Sequence, residues 1–463
     1  MRDDRMAAVF ARQKAAVADR RIGFGLAERR AALGRLAVAL RGRQGEIVAA
    51  LATDFGKPET EVLLTELLPL MQEIGHARRR LARWMRARWV APGLSGFGTS
   101  ARLRPEAKGV CLIMAPWNYP VNLALGPLIS CLAAGNSAMI KPSEMTPVTS
   151  AVIARLVGDC FSDDLVAVVE GGREVAEHLL SLPFDHIFFT GSPEVGRVVM
   201  AAAARHLASV TLELGGKSPC IIGPDADLDR AARWIAFGKF ANAGQTCIAP
   251  DHVFVHESVA EEFRAALRRA IDRLYPGGVA AGDLVQVVNE NHLARLTGLL
   301  GDALSRGARL VAGGGAEGRR IAPTVIESIT PDMAIDGQEI FGPILPLMTY
   351  SDIGTVISRI NARPKPLALY VFAKDRALVQ RVVAETSSGS VGVNLTMLQF
   401  SHPNLPFGGV NTSGIGSAHG EAGFRAFSHE KAVLVNRFSP AGLFFPPYTS
   451  RMRRLVEQAL RWI

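Results

Sequence analysis

Cysteine is scarce in this sequence, and so are the spacings that mark metal sites. The chain has 463 residues and only 5 cysteines. They form no CxxC pair and are too sparse for a disulfide framework, so reduced thiols are expected. The histidines show no HExxH or similar spacing, which predicts the absence of a metal site. These absences exclude a disulfide-rich secreted domain and argue against a metalloenzyme.

Long apolar runs are missing as well. The longest uncharged stretch, Gly109–Ile140, is interrupted by prolines and asparagines, so no run reaches the ~18 residues of a membrane-spanning helix. The beginning of the chain mixes Asp3, Asp4 and Asp19 with basic residues and gives no sign of a secretory signal. The expected location is cytoplasmic, with peripheral contact at the inner membrane surface left open because of the C-terminal segment.

The charge is positive but dispersed. The net charge of +9 comes from arginines spread along the chain, as in Arg78–Arg80 and Arg268–Arg269. Such dispersion is typical of solvated helix faces, so specific nucleic-acid binding is not expected. The excess of positive charge would still favour the approach of an anionic dinucleotide.

The chain is long enough for two or three domains. Apolar residues recur at helical spacing from about residue 6 to 54, which predicts long helices there. From Gly109 onward, short apolar runs alternate with helix-like segments, a pattern typical of a mostly parallel sheet with covering helices. The strand candidates are Val110–Met114, Ser137–Ile140, Leu165–Val169, His186–Thr190, Cys220–Ile222, Val253–Val255, Arg309–Val311 and Leu369–Phe372.

The C-terminal segment reads as an amphipathic helix with a basic polar face. It follows Phe444–Pro447, whose prolines end whatever precedes it. A basic amphipathic helix can lie on an anionic membrane surface, but packing on its own body or on a sister subunit is the favoured interpretation. Its apolar face consists of Met452, Leu455, Val456, Ala459, Leu460 and Ile463.

A glycine turn after the strand candidate His186–Thr190 is a candidate anion site. Gly191, Ser192 and Gly196 lie between that strand and an amphipathic helix, where free backbone N–H groups would face a ligand. The spacing is not GxGxxG, and an ordinary strand-to-helix turn explains it equally well. Gly215–Ser218 is not a P-loop, because position 211 is threonine.

Lys141, Ser143 and Glu144 follow another strand candidate. A lysine and a carboxylate at the end of a strand suit ribose hydroxyl groups, which accept from an ammonium and donate to a carboxylate. Taken alone, the four residues of this segment fit an ordinary capped loop as well.

Four further side chains are candidates for chemistry. Cys247 lies in a polar Gly/Gln/Thr-rich stretch and could act as a nucleophile, although most cysteines are buried apolar residues. Glu213 and Glu339 are carboxylates in apolar settings, where burial raises the pKa, although an ion pair is the commoner arrangement. Asn118 is a neutral donor in a proline-stiffened loop, as an oxyanion site requires, yet most loop asparagines serve turns.

Together these segments resemble the aldehyde dehydrogenase superfamily. They occur in the same order as in that superfamily, and the resemblance extends from about residue 8 to 435. Further segments, DFGKP (54–58), FGKF (237–240), QTCIAPD (245–251) and SAHGEAGFRAFSH (417–429), resemble its class 3 branch of fatty, aromatic and coniferyl aldehyde dehydrogenases. The shared segments are PWNYP (116–120), KPSE (141–144), FTGSPEVG (189–196), LELGGKSP (212–219), NAGQTC (242–247), EIFGP (339–343) and PFGG (406–409).

The resemblance implies an α/β fold with a Rossmann-like nucleotide-binding domain, an α/β catalytic domain and a small β dimerisation element. The expected bounds are 1–90 and 107–210 for the first, 211–393 for the second, 91–106 and 394–435 for the third, and 436–463 for the tail. A homodimer is the expected assembly.

The resemblance also implies roles. Cys247 takes the position of the nucleophile, Glu213 that of the general base and Asn118 that of the oxyanion donor. The cofactor is expected to be NAD, with NADP possible, and the aldehyde to be hydrophobic or aromatic. The positions implied for cofactor binding are Pro116, Trp117, Lys141, Ser143, Glu144, Gly191, Ser192, Gly196, Glu339 and Phe341.

Two other functions stay open at this point. A CoA-acylating dehydrogenase would transfer the acyl group to CoA, but such relatives generally lack the general-base glutamate. A catalytically idle structural or membrane-peripheral relative would need none of Cys247, Glu213 and Asn118. Leu395 and Asn411 depart from the class 3 pattern near the expected substrate mouth and dimer element, which weakens the transfer of a particular substrate.

Overall fold

Helices and strands alternate along most of the chain. The structure, a computed structural model, describes residues 2–93 and 96–461. The helices are α1 (Arg2–Ala15), α2 (Val17–Gly23), α3 (Leu26–Gly42), α4 (Gln44–Phe55), α5 (Glu59–Val62), α6 (Leu68–Trp84), α7 (Pro120–Ala134), α8 (Pro147–Cys160), α9 (Arg173–Ser181), α10 (Pro193–Arg205), α11 (Leu228–Phe240), α12 (Ala260–Leu274), α13 (Glu290–Ser305), α14 (Ala334–Gly337), α15 (Ile353–Asn361), α16 (Arg376–Glu385), α17 (Gly420–Ala426) and α18 (Ser450–Leu460).

The strands confirm all eight candidates, within a residue or two at the ends, and add others. They are β1 (Arg88–Val90), β2 (Thr99–Ala107), β3 (Val110–Met114), β4 (Ser137–Lys141), β5 (Val166–Val168), β6 (His186–Gly191), β7 (Ser209–Leu214), β8 (Pro219–Ile222), β9 (His252–His256), β10 (Arg309–Ala312), β11 (Ala316–Glu317), β12 (Arg320–Ile321), β13 (Thr324–Glu327), β14 (Ile344–Tyr350), β15 (Ala368–Phe372), β16 (Ser390–Val393), β17 (Gly414–Ile415) and β18 (Ser428–Asn436).

The first sheet has the Rossmann arrangement. Its order is β17-β7-β6-β3-β4-β5, with β17 antiparallel to β7 and the other strands parallel. Counted from β3, the parallel strands follow the 3-2-1-4-5 order of dinucleotide-binding folds. β3 and β4 are buried along their whole length, as covered parallel strands require. The strand order reverses between β3 and β6, and ligands of such sheets bind at the carboxyl ends beside that point.

Two helical layers cover this sheet. The predicted N-terminal helical zone is present as α1 to α4, and Leu33, Leu36 and Leu40 on one face of α3 are buried. Helices α3, α4, α6, α7 and α8 share one core on one face of the sheet, while α1, α9 and α10 pack on the other. The helical spacing of apolar residues thus becomes a continuous contact with the sheet.

The second sheet contains seven strands in the order β10-β13-β14-β9-β8-β15-β16. All its pairs are parallel except the edge pair β10–β13. One core packs α11 and α12 against it. Both large sheets therefore have the α/β architecture expected from the sequence.

A small antiparallel sheet joins β1, β2 and β18. Four of the expected domain bounds need correction. The bound between 210 and 211 falls inside β7, which pairs with β6 in the first sheet. The bound at residue 90 assigns β1 to the nucleotide-binding part, although β1 pairs with β2. The bounds at 106/107 and 435/436 each cut off the last residue of a strand that pairs in the small sheet.

The C-terminal helix α18 buries none of its residues. Leu455, Val456 and Leu460 are exposed, so the expectation that this helix packs on its own body is wrong for the residues described. Ile463, which the sequence placed on its apolar face, lies outside the described residues. Within ranges 2–93 and 96–461, none of the helices combines the length and the apolar character needed to cross a bilayer.

Candidate active site

The loops that follow four parallel strands meet at one edge of the first sheet. Pro116, Trp117 and Asn118 follow β3, Lys141 ends β4, Gly191 ends β6 and Glu213 lies near the end of β7. Because the carboxyl ends of parallel strands share one edge, segments far apart in sequence come together there. Among these residues are positions that the resemblance assigned to the cofactor and to catalysis.

The glycine turn leads directly into α10. Ser192 is the N-cap of α10, and its Oγ accepts a hydrogen bond from Val195 N at 3.3 Å. Gly196 lets the helix approach β7 closely, since a Cβ there would come within 2.8 Å of the Leu214 side chain. The remaining free N–H groups of the first turn form a place for a phosphate.

Lys141 and Glu144 form a short ion pair beside this turn. The Lys141 ammonium donates to Glu144 Oε2 at 2.9 Å; Lys141 is buried and Glu144 is about half exposed. Burial is the largest single effect and acts to raise the pKa of Glu144, but the hydrogen bond and charge of Lys141, together with a backbone hydrogen bond, outweigh it and the pKa is lowered. Ser143 is buried, and its Oγ accepts from Met145 N at 3.2 Å, so its side chain closes the loop.

Two aromatic rings line the opposite side of the site. Trp117 and Phe341 meet edge to face with centroids 5.5 Å apart, and His292 lies 5.2 Å from Trp117. Phe341 has a φ of 46°, an uncommon backbone conformation for an aromatic residue. Glu339 lies against Gly215, where a Cβ would come within 2.4 Å of the carboxylate oxygens. The glycine therefore makes room for Glu339.

These features fit a dinucleotide. The helix terminus suits a pyrophosphate, the lysine–glutamate pair suits a ribose diol, and the glycine at 196 keeps the strand-to-helix turn tight. Burial, opposed by a hydrogen bond from the Gly216 N–H, raises the pKa of Glu339 to about 7. Within the described parts of the chain, no group of three His, Cys, Asp or Glu side chains could hold a metal ion.

Cys247 follows a strained turn. Asn242 and Ala243 both have a φ of 52°, and Gly244 has a φ of 70°. Such left-handed backbone in non-glycine residues costs on the order of 1–3 kcal/mol each and clusters at functional sites. The Asn242 side chain donates to Asn118 O at 2.9 Å, and the Asn118 side chain donates to Gln245 O at 2.9 Å. The asparagine loop and the cysteine loop are thus fastened together.

Cys247 lies between two cavities. An outer cavity of about 330 Å³ reaches it, and an inner cavity of about 40 Å³ contains both Cys247 and Glu213 in its wall. The inner volume is sufficient for ordered water. The outer cavity is mostly apolar and is lined by Leu64, Thr65, Leu68, Pro69, Gln72, Tyr119, Asn122, Leu123, Phe237, Thr246, Cys247, Ile248, Met397, Leu398, Phe400 and Ser401.

Glu213 is a buried carboxyl group without a hydrogen-bond partner among the described residues. Burial raises its pKa well above the usual range. Burial and the charges of Glu339 and Glu213 also raise the pKa of the Cys247 thiol to about 12. The Cys247 thiol therefore keeps its proton at neutral pH until a base takes it.

A buried ion pair lies beneath the asparagine loop, and no sequence pattern predicted it. Lys57 and Glu66 are fully buried, with Nζ and Oε1 3.5 Å apart. Glu66 Oε2 accepts from Asn122 N at 2.7 Å, which satisfies the first turn of α7 just after Asn118. The Lys57 ammonium also lies 3.9 Å from the centroid of the Tyr119 ring. Glu66 stands in a π-helical turn, Leu63–Leu67, and no spacing in the sequence announces such a turn.

A second support carries the Glu339 loop. The Lys217 ammonium donates to Asp251 Oδ1 at 2.6 Å and to Gln338 O at 2.7 Å, and Asp251 Oδ2 accepts from Ile340 N at 2.9 Å. In the sequence, Lys217 was considered only as part of a P-loop, which was rejected. Its position shows a role in holding the backbone on both sides of Glu339.

Fold and site together define an NAD(P)-dependent α/β dehydrogenase with a cysteine beside the cofactor crevice. The chain belongs to the aldehyde dehydrogenase family, whose model matches residues 4–433. It is 42% identical over 429 residues to the 4,4'-diaponeurosporen-aldehyde dehydrogenase of Staphylococcus aureus, covering 92% of this chain and 93% of that protein. It is 41% identical over 396 residues to aldehyde dehydrogenase family 3 member A2 of Mus musculus, covering 85% and 81%.

Solved structures agree with this assignment. The substrate-bound state of Staphylococcus aureus AldH superposes with a TM-score of 0.93 at 39% identity, covering 98% of this chain and 99% of that one. An NAD-dependent aldehyde dehydrogenase from Sinorhizobium meliloti superposes with a TM-score of 0.85 at 30% identity, covering 97% and 89%. The resemblance to the superfamily and to its class 3 branch is confirmed.

Proposed function

We propose that this enzyme oxidises an apolar aldehyde to the carboxylic acid by hydrolysis of a thioester on Cys247. The observation that carries the proposal is the inner cavity, whose wall contains both Cys247 and Glu213. A thiol at the end of an apolar cavity and a buried carboxyl group beside room for water are the two groups that acyl formation and acyl hydrolysis need.

In the first half of the reaction, Cys247 attacks the aldehyde carbon. Cys247 attacks as the thiolate, having lost its proton to water at the site, and the developing oxyanion accepts from the Asn118 amide and the Cys247 backbone N–H. Nicotinamide dinucleotide, when bound, supplies the hydride acceptor. Pro116, Trp117, Lys141, Ser143, Glu144, Gly191, Ser192, Gly196, Glu339 and Phe341 are proposed to form its site.

In the second half, water attacks the thioester carbon. Glu213 takes a proton from that water as the new C–O bond forms, and collapse of the tetrahedral species breaks the C–S bond and frees Cys247 as the thiolate. The raised pKa of Glu213 suits it to this work, because a base with a pKa nearer the operating pH accepts a proton more readily.

The outer cavity supports a hydrophobic or aromatic substrate. Its wall is formed mainly by leucine, phenylalanine, methionine and isoleucine side chains, and burial of each CH₂ of a substrate there is worth about 0.8 kcal/mol. The expected result is a kcat/KM that rises along a series of n-alkanals from two to eight carbons. Replacing Leu64 with Gln should flatten that rise while leaving the KM for the cofactor unchanged.

NAD is the proposed cofactor, with NADP as the weaker one. The half-exposed Glu144 carboxylate would repel a 2′-phosphate and accept from a ribose hydroxyl. Glu144→Gln is expected to lower the ratio of kcat/KM for NAD to that for NADP. A ratio that stays constant in this variant would contradict the assignment of Glu144.

Product analysis tests the reaction. Purified enzyme, an alkanal and NAD, without CoA, should yield equal amounts of carboxylic acid and NADH. Cys247→Ser should abolish both, while Glu213→Gln should form NADH in the first turnover and release acid slowly. Acid that appears only after addition of CoA would establish the acylating alternative, and no NADH with any aldehyde would establish the idle one.

We also propose that the chain forms a homodimer in which α18 packs on the sister subunit. The apolar side chains of α18 are exposed, and no residue of α18 is buried in its own chain. Exposed apolar faces of this kind mark contact surfaces. The basic face of α18 would also allow this helix to bind an anionic membrane surface instead.

A further inference from the structure

One part of the wall of the inner cavity is formed by a histidine. His419 lines this cavity together with Glu213 and Thr190. It also lines a separate cavity of about 380 Å³, whose wall includes the exposed arginines Arg80 and Arg83. His419 therefore separates the buried carboxyl group from a cavity at the protein surface.

The backbone of His419 is strained. Its φ of 67° and ψ of 145° lie near a region that is essentially reserved for glycine, at a cost on the order of 1–3 kcal/mol. The imidazole is held edge-on against Phe400 and Phe407, with ring centroids 4.6 and 5.6 Å away. Glycine would relieve the strain, so the fold alone does not account for a histidine here.

The polar groups of the inner cavity need a partner. Among the described residues, no hydrogen-bond partner is found for either carboxyl oxygen of Glu213. The Thr190 hydroxyl also has none there. A cavity of about 40 Å³ has room for at least one water, which needs about 10–15 Å³ and two or more polar contacts. Water in this cavity can therefore connect Glu213 with the His419 ring.

The reaction creates a proton that must leave. Glu213 gains a proton in each hydrolytic step and cannot act again until it loses it, yet the carboxyl group is buried. Burial lowers the pKa of His419 to about 4, so its ring is neutral. A neutral imidazole accepts a proton on one nitrogen while donating from the other.

We propose that His419 relays the proton gained by Glu213 to the arginine-lined cavity, through water in the inner cavity. This inference rests on the proposed hydrolytic function. The Glu213 O–H bond breaks as a water O–H bond forms, the water protonates the inner ring nitrogen, and the outer ring nitrogen releases its proton. No electrons are transferred, and a half-turn of the ring restores the first tautomer.

His419→Gly tests the relay. The variant should form about one equivalent of NADH per active site at the wild-type rate and then turn over at least about tenfold more slowly, because only the reset of Glu213 is impaired. Added imidazole should restore steady-state turnover by occupying the space of the missing ring. His402→Gly, which removes an exposed histidine from the preceding loop, should match the wild type with and without imidazole.

Three results would overturn the relay. They are wild-type turnover in His419→Gly, loss of its first-turnover NADH, or slow turnover that imidazole does not restore. His419→Asn decides the matter if the glycine variant does not fold, since asparagine tolerates a positive φ and cannot pass a proton in this way. Wild-type enzyme that forms no acid without CoA would contradict the hydrolytic function itself, whereas acid from the wild type with normal turnover in both variants would contradict the relay alone.

Discussion

At the residue scale, the Asn118 side chain divides its donors between structure and chemistry. One N–H is used by the Gln245 carbonyl, and an amide nitrogen has two, so the second can serve an oxyanion. Asn118→Ala is expected to lower kcat by about 10²–10³ while leaving NAD affinity unchanged. Single-turnover kinetics and quenching of tryptophan fluorescence by NAD measure the two effects. An exposed-loop control, Asn404→Ala, should change neither, and full activity in Asn118→Ala would disprove the role.

The burial of Glu213 predicts how the stability of the protein depends on pH. Burial raises its folded-state pKa above the ordinary 4.5, so the folded protein binds this proton more tightly than the unfolded chain does. Its contribution to stability is therefore complete below about pH 4.5 and is lost as the pH rises. Glutamine cannot ionise, so Glu213→Gln should have a higher Tm than the wild type at pH 8 and nearly the same Tm at pH 4.5.

Calorimetry at the two pH values checks this. The exposed control Glu317→Gln should show no such difference between them. A Tm that falls in Glu213→Gln at pH 8 would mean that the fold stabilises the carboxylate, so that burial does not raise its pKa.

Individual side chains were predictable from the sequence only where they stand in a recognisable segment. Cys247, Asn118 and Glu339 stand in such segments, and the structure brings them to one edge of the first sheet; their chemical roles stay predictions. His419 also stands in a quoted segment, but nothing in the sequence reveals its strained φ or the cavities beside it. Such facts depend on how distant loops pack, which a single chain position does not encode.

At the scale of elements, the buried Lys57–Glu66 pair holds together the segment before α5, the π-helical turn and, through Asn122 N, the start of α7. Removing one partner of a buried pair leaves an uncompensated charge and costs about 3–5 kcal/mol. Glu66→Gln should therefore lower the free energy of unfolding by an amount of that order. The double variant Lys57→Met/Glu66→Gln should recover much of it, because no charge is buried and the glutamine oxygen still accepts from Asn122 N.

Urea unfolding of the single and double variants measures the coupling. The surface pair Arg173–Glu177 supplies the control, since Glu177→Gln should cost no more than about 0.5 kcal/mol. If the two single changes simply added in the double variant, the pair would not be coupled and the structural reading would be wrong.

Helices and strands with a clear periodicity of apolar residues were predictable from the sequence. The sheet to which a strand belongs was not, because it depends on the strand's pairing partners. The leucines of α3 and the apolar run of β3 gave their helix and strand directly. The assignment of β7 to the first sheet could not be read from its residues, because only the pairing of Thr190 with Glu213 decides which sheet it joins. For the same reason β1, an exposed triplet, was assigned to the wrong part of the chain.

At the scale of the whole molecule, experiments on the C-terminal helix α18 distinguish a dimer contact from a membrane contact. If α18 packs on a sister subunit, light scattering should give twice the chain mass of 49.6 kDa, and removal of residues 448–463 should raise the dimer dissociation constant. Leu455→Gln/Leu460→Gln should act like the truncation, and Arg453→Gln/Arg454→Gln should not. Sedimentation with anionic vesicles that requires the arginines, together with an unchanged dimer, would favour the membrane instead.

The long pairing of β18 with β2 has a consequence for biosynthesis. Ser428 lies opposite Ala107 and Asn436 opposite Thr99, and β17, near the end of the chain, forms the edge beside Glu213. At 5–20 residues per second, ribosomes need on the order of tens of seconds to deliver these partners. During that interval the edge of β7 and the β18-facing edge of β2 stand open, so the nascent enzyme is both inactive and exposed to strand-mediated aggregation until translation is nearly finished.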